Sequence, residues 1–394
     1  MSVLLSPTPQ HYAWGGHDYL DNLIGRPVTD EPTAELWLGD HPKGPATLTG
    51  GNGTLAEHIG ADPARHLGPK TVAQFGERLP YLLKVLDVNR MLSIQVHPDK
   101  GTAEAGFARE EARGIARTAP DRNFRDDNHK PELGVAISDF YLLHGFKSPA
   151  AIRETLRTVP GWAGLETELD AGGVAGLYEY VMRADPDTLD RLLQPLIQSL
   201  EGTDPDRSDP AFWVRRAIAE YSHDGHHDRG MFSIYWFNLV HLRPGEAIFQ
   251  DAGVPHAYLE GQCIELMANS DNVLRGGLTP KHIDVNELLL NTRFDAVVPE
   301  RLVPTELAGS PWQTYKTPAR DFALDFRLLE AGASLTLTPK PGPTILLLWE
   351  GEADLHEPRL ALNTRQRAAF IPAGEQVTLK CKTDTVIYRA RTSR

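Results

Sequence analysis

Four stretches of this 394-residue chain carry side chains whose types and spacing suit chemistry. In LSIQVHPDK, Leu92, Ile94 and Val96 alternate with Ser93, Gln95 and His97, the period-two pattern of a strand with one polar face. Such a strand lines up a hydroxyl, an amide and an imidazole, and Gln95 and His97 can grip one metal ion from the same side. An ordinary strand with a wet polar face has the same pattern. In NHKPELG, Pro131 biases Lys130 toward extended angles, so Lys130 and Glu132 point the same way. That places a carboxylate ligand beside an ammonium, or makes a charged turn entering a strand.

In LRPGEAIFQDAGVPHAYLEG, a Pro-Gly turn, a strand and a Gly-Val-Pro turn deliver His256 to the start of the next strand, which reads as a hairpin. The rigid Val-Pro before it fixes the position of the histidine. In QCIELMANSDNVLRGGLTPKH, Glu265 interrupts an apolar strand. A carboxylate placed there is costly if buried, unless it meets a cation, a metal or a proton-transfer task. Arg275, followed by two glycines, and Lys281, following Pro280, are groups that a phosphate requires. Together Gln95, His97, Glu132 and His256 make an N/O set able to surround one divalent cation. Two imidazoles, a carboxylate and an amide suit zinc, and ligand type also admits Mn, Fe or Ni.

The elements that must position these residues fall into three sections. Short strand-like runs separated by turns fill the chain to Lys147, with TLAEHIGADPARHLG reading as a short helix. After Ser148-Pro149, apolar residues recur at three- and four-residue intervals to about Tyr221, which predicts a helical block, with Asp187 as the cap of its DTLDRLLQPLIQSL helix. Strands resume with MFSIYWFNLVHL, and a third, β-rich section begins near Arg320. Helices thus interrupt one antiparallel barrel, and a second β part closes the chain.

Bulk composition narrows the partners. A formal charge of −13 disfavours nucleic acid and anionic membranes, although a few local cations can still hold a small anion. Cys263 and Cys381 are isolated thiols suited to a reducing cytoplasm. MSVLLSPTPQ lacks the basic start of a signal peptide, and no apolar run spans a bilayer, so a cytoplasmic protein with no membrane partner is expected. The tract HDGHHDRG, with His223, His226 and His227, reads as a solvated connector rather than a metal site.

The blocks YAWGG, ELWLGDHPKGPA, SIQVHPDK, NHKPELGVAI, PGEAIFQDAGVPHAYLEG and SDNVLRGGLTPKHIDV resemble, in type and order, the type I phosphomannose isomerases. The resemblance covers most of the chain. It implies one zinc ion held by Gln95, His97, Glu132 and His256, a catalytic Arg275, and a pocket lined by Lys130, Glu265, Asp271 and Lys281. Ser93 and Lys100 are then expected near the phosphate. The fold implied is mainly β: a catalytic cupin (jelly-roll) barrel over residues 1–147 and 226–315, an inserted helical domain over 148–225, and a metal-free cupin-like domain over 316–394. The helical section is short relative to eukaryotic members, and Gly277 stands where the family varies.

The reaction implied is aldose–ketose isomerisation of mannose 6-phosphate and fructose 6-phosphate through a cis-enediol(ate), which needs a base and positive charge for the oxyanion. Glu265 is the first choice of base, with Lys130, His129 and Asp271 as alternatives. A metal-dependent cupin oxygenase would want a hydrophobic pocket instead, and a sugar-binding cupin would be inert toward sugar phosphates. The sequence carries no helix pair of a DNA-binding kind, and a monomer is expected.

Overall fold

The structure is a computed structural model that describes residues 1–51, 53–356 and 358–393. Its centre is the thirteen-residue strand His256–Ala268, buried along most of its length. The second half of this strand pairs antiparallel with Tyr81–Val88 on one side and Glu132–Ala136 on the other. Its first half pairs instead with Gln95–Val96 and Phe140–Phe146. The changeover falls at Gly261, whose φ is +116° and where a Cβ would lie 2.4 Å from the Asp139 carbonyl oxygen. Only glycine fits there. Beyond these partners the sheet runs through Glu35–Leu38 to Thr8–Gln10, and on the other side to Ala247–Gln250.

The strands Phe140–Phe146 and Phe237–Leu242 pair with each other, and the helical block lies between them in the chain. Helices starting at Pro149, Pro186 and Pro210 are capped by Ser148, Asp185 and Asp209, whose side chains accept from Ala151, Thr188 and Ala211 N–H groups. The cap of the Pro186–Ser199 helix is therefore Asp185 and not Asp187, because proline occupies the first helical position without needing its missing N–H. Trp162, Leu177, Leu193, Trp213 and Phe232 of this block share one apolar core with Ile94, Val96 and Ala257 of the sheet, so the helices back the strands that carry the site.

A second sheet of eight strands includes Ala323–Leu329, Thr344–Glu350, Ala368–Ile371 and Thr385–Arg391, and faces a four-stranded sheet across Leu346, Leu348, Leu355 and Leu379. Its outer strands are Val3–Ser6 and Thr47–Leu48 at one end and Thr305–Glu306 and Gln313–Tyr315 near the other. Strand pairing thus crosses the expected division at 315/316. Leu5, Leu83, Phe370 and Tyr388 fall in a single buried cluster that joins the two β parts.

Three local expectations are corrected. Ala247–Gln250 pairs with Glu132–Ala136 and not with the strand that follows it, so the turn before His256 does not close a hairpin. MFSIYW is the helix Gly230–Trp236, its apolar residues buried against the helical core on all sides, and only Phe237–Leu242 is strand. Lys100–Ala112 is a helix that the sequence reading passed over, with Asp99 accepting from Thr102 N–H as its cap. Among the described residues, no helix is long and apolar enough to cross a membrane.

Candidate active site

The strand Gln95–Val96 lies between His256 and Arg275, with Gln95 in register with both. Directly opposed residues of an antiparallel ladder share a face, so the amide, imidazole and guanidinium project to the same side, into an open cavity of about 690 Å³. Pro131 and the strand it leads into bring Glu132 to the same place. The Glu132 carboxylate receives Lys130 Nζ at 2.8 Å, and its two oxygens stand 3.4 Å from His97 Nε2 and 3.3 Å from His256 Nε2. Burial would raise this carboxyl, but Lys130 and the imidazoles hold it well below the usual carboxylate range.

The two histidines share one arrangement. His97 Nδ1 contacts the Asn272 carbonyl at 2.7 Å, and His256 Nδ1 contacts the Val254 carbonyl at 2.9 Å. A carbonyl accepts only, so each Nδ1 carries the proton and each Nε2 presents a lone pair. Both Nε2 atoms are buried, with no hydrogen-bond partner among the described residues. Burial, with help from Lys130, depresses His97 to about 4, so its ring stays neutral. Two orphaned lone pairs and a carboxylate, all within 4.8 Å of one another, fit a divalent cation of the zinc type.

The neighbouring wall is built on Lys84, in cross-strand register with Glu265 on one side and Trp37 on the other. Its Nζ lies 3.1 Å from Glu265 and 3.5 Å from Glu35, and Trp37 Nε1 donates to Glu35. Burial would lower the Lys84 ammonium, yet the two carboxylates outweigh it and hold the pKa above its ordinary value. Burial, assisted by Glu132, raises Glu265 in spite of Lys84. The Tyr258 hydroxyl, buried and with no hydrogen-bond partner among the described residues, lines the same wall. Burial and then the Glu265 and Glu132 charges push it up.

The turn that follows Arg275 is pinned from outside the sheet. Asp228, on the segment leaving the helical block, accepts from Leu278 N–H at 2.6 Å, Gly230 N–H at 2.6 Å and Thr279 N–H at 3.2 Å. Gly277, at φ +119°, packs so closely on Gly230 that a Cβ would meet its N and Cα at 2.6 Å.

Of the residues singled out in the sequence, Ser93, Gln95, Lys130, Glu132, His256, Glu265, Asp271, Arg275 and Lys281 all line the cavity, and His97 reaches its Glu132 edge. Asp271 is held by Lys43 at 2.9 Å and His41 at 3.5 Å, and these contacts overcome burial to keep it below the usual carboxylate range. Two residues lie elsewhere. His129 does not line the cavity: it alternates with Lys130 on an extended segment, and its Nε2 contacts both oxygens of Asp321, at 3.1 and 3.0 Å. Lys100 does not line it either. It opens the helix Lys100–Ala112 and donates to the Asp127 carbonyl at 2.8 Å. Sequence reasoning passed over Lys84, Glu35, Tyr258 and Arg125, all on the cavity wall. The rule applied to Glu265, a charge inside an apolar strand, would have found Lys84 in YLLKVLDV.

The chain as a whole is similar to known proteins. The family model for the catalytic domain of type I phosphomannose isomerase matches residues 3–149. Mannose-6-phosphate isomerase of Escherichia coli (strain K12) is 37% identical over 381 residues, covering 94% of this chain and 95% of its own. The chain belongs to the type I phosphomannose isomerases. The family likeness extends to the mouse mannose-6-phosphate isomerase, 32% identical over 98% of this chain and 97% of that one. Among solved phosphomannose isomerases, the Salmonella typhimurium enzyme bound to fructose 6-phosphate and zinc superposes with a TM-score of 0.89 at 34% identity, covering 100% of both chains.

Proposed function

We propose that the chain interconverts mannose 6-phosphate and fructose 6-phosphate, with one zinc ion held by His97, Glu132, His256 and Gln95. The observation that carries this reading is the pair of imidazole nitrogens, without a hydrogen-bond partner among the described residues, that converge on a buried carboxylate inside a cavity whose wall also bears the cations Arg275 and Lys281, neither of which meets a carboxylate among the described residues. Zinc, when bound, supplies a Lewis acid and an orienting template for the oxygens of the sugar. Arg275, Lys281 and Ser93 take the phosphate. Glu265, its carboxyl raised by burial above the ordinary carboxylate value, moves the proton between C2 and C1 through a cis-enediol(ate). Lys130 and Lys84 supply the positive charge that the developing oxyanion needs. Tyr258, whose hydroxyl keeps its proton under burial and the charges of Glu265 and Glu132, donates a hydrogen bond to a substrate oxygen.

The same reading takes the fold as two cupin barrels, residues 1–147 with 226–315 and residues 316–394, with a helical insert over 148–225, the first part lending Val3–Ser6, Thr47–Leu48, Thr305–Glu306 and Gln313–Tyr315 to the sheet of the second. The pairing of the two strands flanking the helices supports an insertion into one barrel. Two free, buried cysteines suit the cytoplasm, and a monomer completes the reading.

The test is isomerase activity on mannose 6-phosphate before and after chelation, with zinc added back. Activity is expected to vanish on chelation and return with zinc. A folded, zinc-loaded protein inert toward mannose 6-phosphate would move the assignment to another aldose phosphate or to a binding module.

A further inference from the structure

Arg125, Arg275 and Lys281 line one cavity, and among the described residues none of the three meets a carboxylate. In a chain of net charge −13, three neighbouring cations without an acidic partner are an unpaid electrostatic cost unless an anion joins them. The repulsion is felt: after burial, Arg125 is the charge that lowers Arg275, and Arg275 and Arg125 both lower Lys281.

Arg125 is also built into place. Its guanidinium donates to the carbonyl oxygens of Arg117 at 3.0 Å and Ala119 at 3.3 Å, which leaves three of its five N–H donors unused. Its backbone N–H donates to Asn272 Oδ1 at 2.7 Å. Asn272, fully buried, bonds the Asp126 and Asn128 carbonyls through Nδ2, at 2.8 and 2.9 Å. Its own carbonyl is the one that orients His97. The loop that carries Arg125 and the ring of a metal-site histidine are therefore registered against the same residue, the loop through the Asn272 side chain and the ring through its backbone carbonyl.

We propose that Arg125 is the third phosphate-binding cation of this pocket, pre-oriented by the Arg117 and Ala119 carbonyls and placed relative to His97 by Asn272. This rests on the sugar-phosphate reading for the identity of the full substrate, but not for the anion. The ligand class is a phosphate monoester, and the carbonyl tethers make the guanidinium a rigid fork for two of its oxygens.

The experiment is calorimetric titration of inorganic phosphate into the full-length zinc-loaded protein and its Arg125→Gln and Arg125→Lys variants, alongside steady-state kinetics on mannose 6-phosphate. Arg125→Gln is expected to weaken phosphate binding and raise KM by roughly tenfold to a hundredfold, the range for a hydrogen bond between charged groups. Its kcat should stay within about threefold of wild type, since such a contact is made equally in ground and transition states. Arg125→Lys should recover part of the binding. It also serves as the test protein if the glutamine variant does not fold, and must then still bind phosphate measurably more weakly than wild type. Phosphate binding unchanged in the variants, or absent in the wild type, overturns the proposal. Unchanged binding beside normal wild-type isomerisation leaves the isomerase reading standing. Arg125-dependent phosphate binding in a protein inert toward mannose 6-phosphate refutes the isomerase reading and keeps Arg125.

Discussion

Replacing Lys84 by methionine removes one charge while keeping a stem of similar length. Lys84 is buried and serves two carboxylates at once, Glu265 at 3.1 Å and Glu35 at 3.5 Å. Removing one member of a buried ion pair leaves an uncompensated charge and costs about 3–5 kcal/mol. At about 1.4 kcal/mol per decade, that is on the order of a hundredfold to several thousandfold in the folding constant. The loss should depend on pH. Burial already raises Glu265 in the folded state, and Lys84 opposes that rise, so without it the carboxyl titrates higher still. The folded variant then binds a proton that the unfolded chain has released, and its stability falls as pH rises through the folded pKa. Urea titrations of zinc-free protein at pH 6 and pH 8 measure this without linkage to the metal. K84M should be weaker than wild type at both values, and more so at pH 8. The double variant with Glu265→Gln should recover much of the difference, because the amide needs no counter-charge. A cost below about 1 kcal/mol at pH 8, typical of an exposed pair, would refute the argument that this lysine is held by burial and pairing.

Glu265→Gln with zinc retained should lower kcat by about a hundredfold or more, the usual contribution of a positioned base; near-normal turnover in steady-state assays would take the proton transfer away from Glu265. Gly277→Ala forces a side chain onto a φ of +119° and against Gly230 at 2.6 Å, so thermal or urea unfolding should show a loss of about 1–3 kcal/mol. Because the same turn sets the approach of Lys281, the KM of that variant for mannose 6-phosphate should rise more than its kcat falls.

Much of the site could be read from local pattern, because its residues sit on extended segments where alternation decides direction. Ser93 and Gln95 face the cavity, as the period of two requires, although only Gln95–Val96 is regular strand. Lys130 and Glu132 point together, as an extended segment at Pro131 implies. The same alternation turns the intervening side chains away, and His129 meets Asp321 for that reason. What local pattern could not supply was pairing across long separations. Lys84 stands out locally as a charge inside YLLKVLDV, but its partner is known only once Glu265 is seen to lie opposite it, 181 residues away in the chain. Arg125 stands in an irregular loop whose course depends on the buried side chain of Asn272. The apolar run MFSIYW fits strand and buried helix equally well, and packing against the helical core decided it. Likewise, nothing near Val3–Ser6 says that its partner is Ala368–Ile371, at the far end of the chain.

The Asp228 contact has a bearing on how the helical section can vary. Its carboxylate gathers two amides from the turn after Arg275 and one from Gly230, so the chain re-enters the sheet at a fixed latch. Upstream of that latch, the exposed connection around Gly202–Asp206 touches neither the cavity nor the turn. Extra residues there would extend a peripheral loop at small entropic cost and leave the position of Arg275 untouched. An insertion between Asp228 and Gly230 would shift the carboxylate away from its three amides. The helical section is therefore modular at one end and keyed at the other. Chimeras that exchange it between relatives should take their junction before Asp228 and keep the aspartate, Gly230 and the turn from one parent.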